Sequence, residues 1–447
     1  VIQLGRPGAG PDPGRRGVWN ALIALAGNLA EPLASPTEYP MRFLPLCALL
    51  ASLPLAPRIA AAETTATLSQ EIGQAGLAAT EARLAALSAP TDADRFALGG
   101  VRFLRTVEVA LQAQARDGLY DPTGVLPFLR LTPAPDTNIP AASPPPDAIR
   151  ALFTTALNNL ENARAPLNDL SPDADFAVEI DLKDIWFDLN ADGARTPEEA
   201  ALTLLGPAIV GWRWSERDPA TPAPVIRFDA ADAAWLSAYT HLLQSLSALV
   251  LAYDPTDAIT RAQATRAKMA ELAPPVPDEF GMTTPYVQAV DSFAQIYWAL
   301  AQDPDPARMA AVHSHLQAMI AENRRFWTMV ATETDNDREW LPNDRQTSAL
   351  GITVPQGTGA RWLAVLDDLD ALLSGTKLLP YWRLGDGAGI NVARFFEDPR
   401  PFDLVGWIQG DAALPYLEIG PLVTTESWAA FENLLTGDSL LFAIYLN

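Results

Sequence analysis

Cysteine is almost missing: Cys47 is the only one in 447 residues. A chain processed beyond that point has no disulfide, no thiolate metal site and no cysteine nucleophile. Histidine is nearly as scarce, with His241, His313 and His315 alone, which leaves little material for a histidine-built centre. Lysine is limited to Lys183, Lys268 and Lys377, so arginine carries almost all positive charge. Positive charge is itself in short supply: 54 acidic residues face 31 basic ones, for a formal net charge of −23. Such a surface repels nucleic acid and anionic membranes and attracts cations. Beyond residue 62 no segment is apolar enough to cross a bilayer, so no membrane insertion is expected after that point. G-x-S-x-G, H-E-x-x-H and Walker motifs are all absent.

What the chain does have begins with an export signal. Met41 and Arg42 form a short basic region, Phe43 to Leu55 an apolar one, and Ala60, Ala61 and Ala62 a small-residue cleavage pattern before Glu63. Residues 41–62 therefore read as a secretory signal peptide, with Leu46 before Cys47 arguing against a lipoprotein signal. Residues 1–40, rich in Gly, Pro and Arg, read as a non-native or disordered N-terminal extension, and 63–447 as the mature region. Residues 1–62 hold five arginines against three acidic residues, which leaves the mature region at a formal −25. Export without disulfides points to a periplasmic (or secreted) protein of a Gram-negative bacterium.

The most specific chemistry lies at residues 188–199, Asp188-Leu189-Asn190-Ala191-Asp192-Gly193-Ala194-Arg195-Thr196-Pro197-Glu198-Glu199. Ca²⁺ takes six to eight oxygen ligands at about 2.3–2.6 Å. Asp188, Asn190 and Asp192 offer side-chain oxygens at alternate positions, Ala194 a backbone carbonyl, Thr196 a hydroxyl or a bridging water, and Glu199 a closing carboxylate. Gly193 sits where the chain must turn sharply, a conformation cheap only without a Cβ. Thr196, Pro197 and Glu199 also spell a capping box, so a helix is expected from Pro197 to about Leu205, stopped by Gly206 and Pro207. This stretch resembles the calcium loop of an EF-hand, over these 12 residues and the exiting helix. The resemblance implies Ca²⁺ as cofactor, with Asp188, Asn190, Asp192, Ala194, Thr196 and Glu199 as ligands. Arg195 occupies the position through which paired loops usually meet, and no second loop of comparable quality accompanies it.

Around the loop, 3.6-residue periodicity dominates. Helices are expected over 64–87 and 92–116 as an N-terminal hairpin within 63–131, then over 147–165 after a Pro-rich loop at 132–146. Residues 176–187 lead into the calcium loop as strand or helix, with Ile185, Trp186 and Phe187 anchoring it to a core. Short strands are expected at 209–214 and 225–228. Asp229 then caps a helix whose core stripe would be Trp235, Tyr239, Leu242, Leu246, Leu249 and Tyr253. Further helices are expected over 256–272, 285–302, 305–332 and 358–373, completing a helical core at 147–377. The segment 378–447 is mixed, with short elements at 405–408 and 440–446. The fold class is mainly α: a multi-helix αα-hairpin array with minor short β elements.

Other groups of residues are weaker candidates. His313 and His315 lie about 200° apart on a helix and cannot share a metal, and His241 lies opposite its helix's apolar stripe, where solvent is expected. Glu333 to Glu339 is acidic but has Trp340 where a calcium loop turns, so an exposed, capped helix end is expected there. Gly385 to Gly389 reads as a turn, and Tyr381, Trp382, Arg383, Arg394, Phe395, Phe396 and Arg400 as packing residues. The expected role is a non-enzymatic binding or scaffold protein of the bacterial envelope, holding a structural calcium ion and open to an unknown protein partner. The alternative is a periplasmic carboxylate-dependent hydrolase with structural calcium, using a fixed pair among Asp335, Asp337, Glu339 and Asp344. A solute-binding protein would need a βαβ pattern that the chain lacks.

Overall fold

Capping side chains start several of the helices in the computed structural model, which describes residues 67–119, 144–210, 221–272, 283–352 and 354–433. The expected signal and extension, residues 132–143 of the Pro-rich loop, and 440–446 lie outside the described residues. Helix α1 spans Leu68–Ala85 and α2 Asp92–Asp117. At the start of α2, Thr91 Oγ1 accepts from Asp94 N at 3.2 Å while Asp94 Oδ2 accepts from Thr91 N at 2.9 Å. Helix α3 is Ala148–Asn168, α4 Ala201–Val210, α5 Ala230–Ala252, α6 Thr256–Leu272 and α7 Thr283–Leu300. Helix α8 is Pro306–Val330, capped by Asp305 Oδ1, which accepts from Ala307 N and Arg308 N. Helix α9 is Thr358–Leu373, and three short helices follow: α10 (Ala393–Glu397), α11 (Leu404–Gln409) and α12 (Glu426–Glu432).

The β content is small. Strands β1 (Val178–Asp181) and β2 (Val225–Phe228) pair antiparallel, with Val178 opposite Phe228 and Asp181 opposite Val225. Strands β3 (Leu379–Pro380), β4 (Ala388–Ile390) and β5 (Leu417–Ile419) form an antiparallel sheet with β4 in the middle. The glycine-rich 385–389 stretch is the turn running from β3 into β4, with Gly387 at φ 88°. The fold is thus mainly α with minor short β elements.

Neighbouring helices stack in sequence order: α1 on α2, α2 on α3, α3 on α5, α5 on α8, and α8 on α9. Helix α5 is the hub, gripped by α3 and α8. Many of its most buried positions are small, Ala231, Ala234, Ser237, Ala238, Thr240, Ser247 and Ala248 among them, with Leu236 and Gln244 also buried. The expected apolar stripe is the less buried part, since Trp235, Tyr239 and Leu242 are partly covered and Leu249 is exposed. Small side chains let two helices approach on opposite sides, and axial separation follows side-chain size at the contact. The hydroxyls of Thr240, Ser245 and Ser247 remain satisfied by donating to the carbonyls of Ser237, Leu242 and Leu243.

Two other expectations need correction around the loop. Pro197–Glu199 forms a short 3₁₀ turn, Ala200 is extended, and α4 begins only at Ala201. Helix α4 then runs through Gly206 and Pro207 to Val210, so Ile209 and Val210 are helical rather than strand, while 211–214 lie outside the described residues. Proline's fixed φ suits a helix; its cost is one lost hydrogen bond and a local clash, which tertiary context can override.

Helix α1 carries a kink at Gly76, whose φ of 79° and ψ of 172° lie in a region essentially reserved for glycine. A Cβ there would also meet Trp186 Cζ2 at 3.0 Å. Gly76→Ala is therefore expected to cost about 1–3 kcal/mol of unfolding free energy, measured by urea denaturation; an unchanged midpoint would contradict this account of the kink.

Candidate metal loop and its surroundings

The loop stands on a buried neck. Ile185, Trp186 and Phe187 are all at most 3% exposed, and they follow a 3₁₀ turn at Leu182–Asp184 that leaves β1. Phe187 N donates to Glu199 O and Ala201 N to Ile185 O, both at 2.9 Å, so the chain closes on itself as a two-rung antiparallel bridge. Ile185, Phe187 and Ala201 pack with Ile72, Leu77 and Leu84 of α1 and Val101 and Leu111 of α2. Trp186 Nε1 donates to Ile72 O at 2.9 Å, fitting its ring into the α1 kink. The expected anchoring of the loop to a core is what the structure has.

Above the neck, side chains organise the turn. Asp188 Oδ1 accepts from Asp192 N at 3.0 Å and its Oδ2 from Gly193 N at 2.9 Å, drawing the chain around this one carboxylate. Gly193 adopts φ 73°, as the turn requires, and Ala191 also has positive φ, at 58°. Asn190 Oδ1 accepts from Asp192 N, Asn190 Nδ2 donates to Asp192 Oδ2 at 2.9 Å, and Asp192 Oδ1 accepts from Ala194 N at 2.7 Å. Residues 190–195 are exposed, whereas Glu199 is 3% exposed. Its Oε1 accepts from Leu189 N and its Oε2 from Thr196 N, so it spans both limbs of the loop. Arg195 donates to the Lys183 carbonyl, tying the loop to its own entry segment.

This donor set suits a hard cation: three acidic side chains, one amide oxygen and backbone carbonyls, with no nitrogen or sulfur donor. The structure brings Asp188, Asn190 and Asp192 together around the turn, while Glu199 lies beneath, engaged with backbone N–H groups. Among the described residues no three His, Cys, Asp or Glu side chains converge as a metal cage. A carboxylate has about four lone-pair sites, so the hydrogen bonds to Asp188 and Glu199 do not exhaust their ligating capacity. Asp188, Asn190, Asp192 and Glu199, with the Ala194 carbonyl and Thr196, are the residues that would hold the ion.

Two residues far away in sequence complete the neck. Glu108 of α2 accepts from Asp188 N at 2.9 Å through Oε1, and Gln112 Nε2 donates to Asp188 O at 2.6 Å. Glu108 is 2% exposed; burial pushes its carboxyl above the usual range, opposed by the Arg105 guanidinium 2.6 Å from its Oε2. Their sequence signal is a lone acid in the run Val107-Glu108-Val109-Ala110-Leu111, with Gln112 one turn on.

The other candidates resolve differently. His313 Nε2 meets the Leu373 carbonyl at 2.8 Å and its ring stacks on Phe396, whereas His315 turns the other way, to His241. His241 is half-buried rather than exposed as expected. Its Nδ1 lies 3.0 Å from His315 Nδ1 and 3.0 Å from Arg164 Nη1, in a polar seam with Gln244 and Glu161 between α3, α5 and α8. Burial, then the Arg164 charge, lowers the His241 pKa to about 3 and lowers that of His315 as well. Around the C-terminal sheet, Tyr381 donates to the Trp407 carbonyl, Phe395 stacks on Tyr416, and Arg383 lies over the Trp382 ring while donating to Ile408 O. These are packing roles.

The acidic segment after α8 is more built than an exposed helix end. Asp335 and Asp337 are 54% and 51% exposed and Asp344 is exposed, but Glu339 is buried and accepts from Asp337 N. It lies near Asp229 and Asp232 at the start of α5 and near Glu333, with Arg227 3.6–4.0 Å from Asp229, Asp335 and Asp337. Asp232 is buried because it completes the α5 cap: its Oδ2 accepts from Asp229 N at 3.0 Å, as Asp229 Oδ1 accepts from Ala231 N. Burial raises all four carboxyls, and neighbouring negative charge adds to it; Glu333 reaches about 7. No family model, curated protein or solved structure matches the chain.

The two clusters give opposite pH dependence. Glu333 titrates in the fold near 7 against an ordinary 4.5, so the folded state holds the extra proton and acidification from pH 7 towards 4.5 stabilises it. His241 resists protonation in the fold, so the unfolded chain gains protons first and stability is lost as pH falls below 6.5. Glu333→Gln is expected to raise the melting temperature at pH 7.5 and to reduce its rise on going to pH 5.5. Thermal melts across that range check this, and a wild-type-like profile would contradict it.

Proposed function

We infer that residues 188–199 hold one structural Ca²⁺ in an exported, non-enzymatic binding or scaffold protein of the bacterial envelope. The observation that carries this reading is the loop's conformation: Gly193 at φ 73°, with the Asp188 carboxylate taking the N–H groups of both Asp192 and Gly193. The chain is thereby wrapped around an acidic oxygen cluster. The ion would supply charge neutralisation for Asp188, Asp192 and Glu199, and this chain's own residues supply the neck that keeps the loop closed. Arg195 supports a solitary loop rather than half of a pair, because its guanidinium is spent on the Lys183 carbonyl. An envelope location favours occupancy, since calcium there is normally abundant and a weak loop stays filled without acting as a sensor. Among the described residues no helix is long and apolar enough to cross a membrane.

The hydrolase alternative needed a fixed carboxylate pair among Asp335, Asp337, Glu339 and Asp344. Three of the four are exposed and only Glu339 is buried, so that set does not supply it.

Binding to the native state stabilises it by about 2.7 kcal/mol at a ligand concentration 100-fold above Kd. Calcium is therefore expected to raise the melting temperature over a chelator control, and the increment should vanish in Asp188→Ala/Glu199→Ala. The comparison is of the calcium increment, because losing the Glu199 carboxylate alone weakens the fold. No increment in the wild type, or one that survives both substitutions, would overturn the assignment.

A further inference from the structure

Among the described residues no second loop braces this one, and no helix leads into it: the residues before Asp188 are extended from Ile185. Something else must fix its first ligand. Two side chains of α2 do so from outside. Glu108 Oε1 accepts the Asp188 N–H at 2.9 Å, and Gln112 Nε2 donates to the Asp188 carbonyl at 2.6 Å. The two are four residues apart and so lie on one face of the helix. Together they hold both peptide groups that flank the Asp188 Cα. With those planes fixed, the direction of the Asp188 side chain is set by its rotamer alone, before any ion arrives.

The support is itself held. Glu108 is buried, and its second oxygen pairs with Arg105 Nη1 at 2.6 Å. Arg105 lies 3.7 Å from Glu81 on α1, which also holds Arg102 Nε at 3.2 Å. A chain of charged contacts thus runs from α1 through α2 to the loop's first residue. We propose that Glu108 and Gln112 are positioning residues that preorganise Asp188 for Ca²⁺, in the place of an entering helix and a partner loop, neither of which is found at the site among the described residues. The proposal rests on the calcium reading of residues 188–199.

Groups that orient a metal ligand typically account for a 10–100-fold difference in affinity. Calorimetric titration of the full chain with CaCl₂ after chelator treatment tests the role directly. Gln112→Ala removes one neutral hydrogen bond at a partly buried position and is expected to weaken Kd by about tenfold or more. Glu108→Ala should do likewise, whereas Glu108→Gln keeps one oxygen to accept the Asp188 N–H, at the cost of setting its NH2 against Arg105, and should bind more tightly than Glu108→Ala. That rescue separates positioning from general destabilisation, and far-ultraviolet circular dichroism in chelator verifies that each variant is folded. Should Glu108→Ala not fold, Gln112→Ala and Glu108→Gln decide the matter. Wild-type binding with an unchanged Kd in folded Gln112→Ala would overturn the positioning role and leave the calcium reading standing. Absence of any calcium binding by the wild type would overturn both.

Discussion

Two backbone hydrogen bonds, Phe187 N to Glu199 O and Ala201 N to Ile185 O, decide what the central part of the molecule can be. They close the loop at its base and oblige Ile185, Trp186 and Phe187 to enter the core between α1 and α2. The kink at Gly76 lies against that burial: a Cβ added there would meet the Trp186 ring at 3.0 Å. Everything proposed for the loop depends on this neck. An open, acidic turn repels itself; one pinned at both ends keeps Asp188 and Asp192 on the same turn, where backbone N–H groups offset part of their charge.

The rest of the fold solves a different problem, which is how to stack helices on both sides of α5. Small residues on α5 allow close approach, and the polar groups that come with them find partners locally or across the seam. Arg164, Gln244, His241 and His315 satisfy one another where α3, α5 and α8 meet. Trp362 Nε1 donates to Asn323 Oδ1 where α9 meets α8. Buried polar groups are costly unless partnered, so these contacts fix which helix faces which.

Local chemistry was legible in the chain. Asp229 announced the start of α5, the expected ranges 92–116 and 358–373 match α2 and α9 closely, and the turn at Gly193 followed from residue spacing. Long-range pairing was not. His241 and His315 are 74 residues apart, and Glu108 and Asp188 80 apart, so no window on one helix could join them. The large residues of α5 do reach the core, with Trp235, Tyr239 and Leu242 packed at its margin, while many of the most buried positions are alanine, serine and threonine, which apolar periodicity does not mark. Helix α4 runs through Gly206 and Pro207, where local propensity alone would end it.

A crystal structure of the chain grown in calcium is the most direct test of the central claim. The account predicts one ion in the loop, with oxygens of Asp188, Asn190, Asp192 and Glu199 at about 2.3–2.6 Å. A fully ordered loop with no ion density in saturating calcium would contradict it.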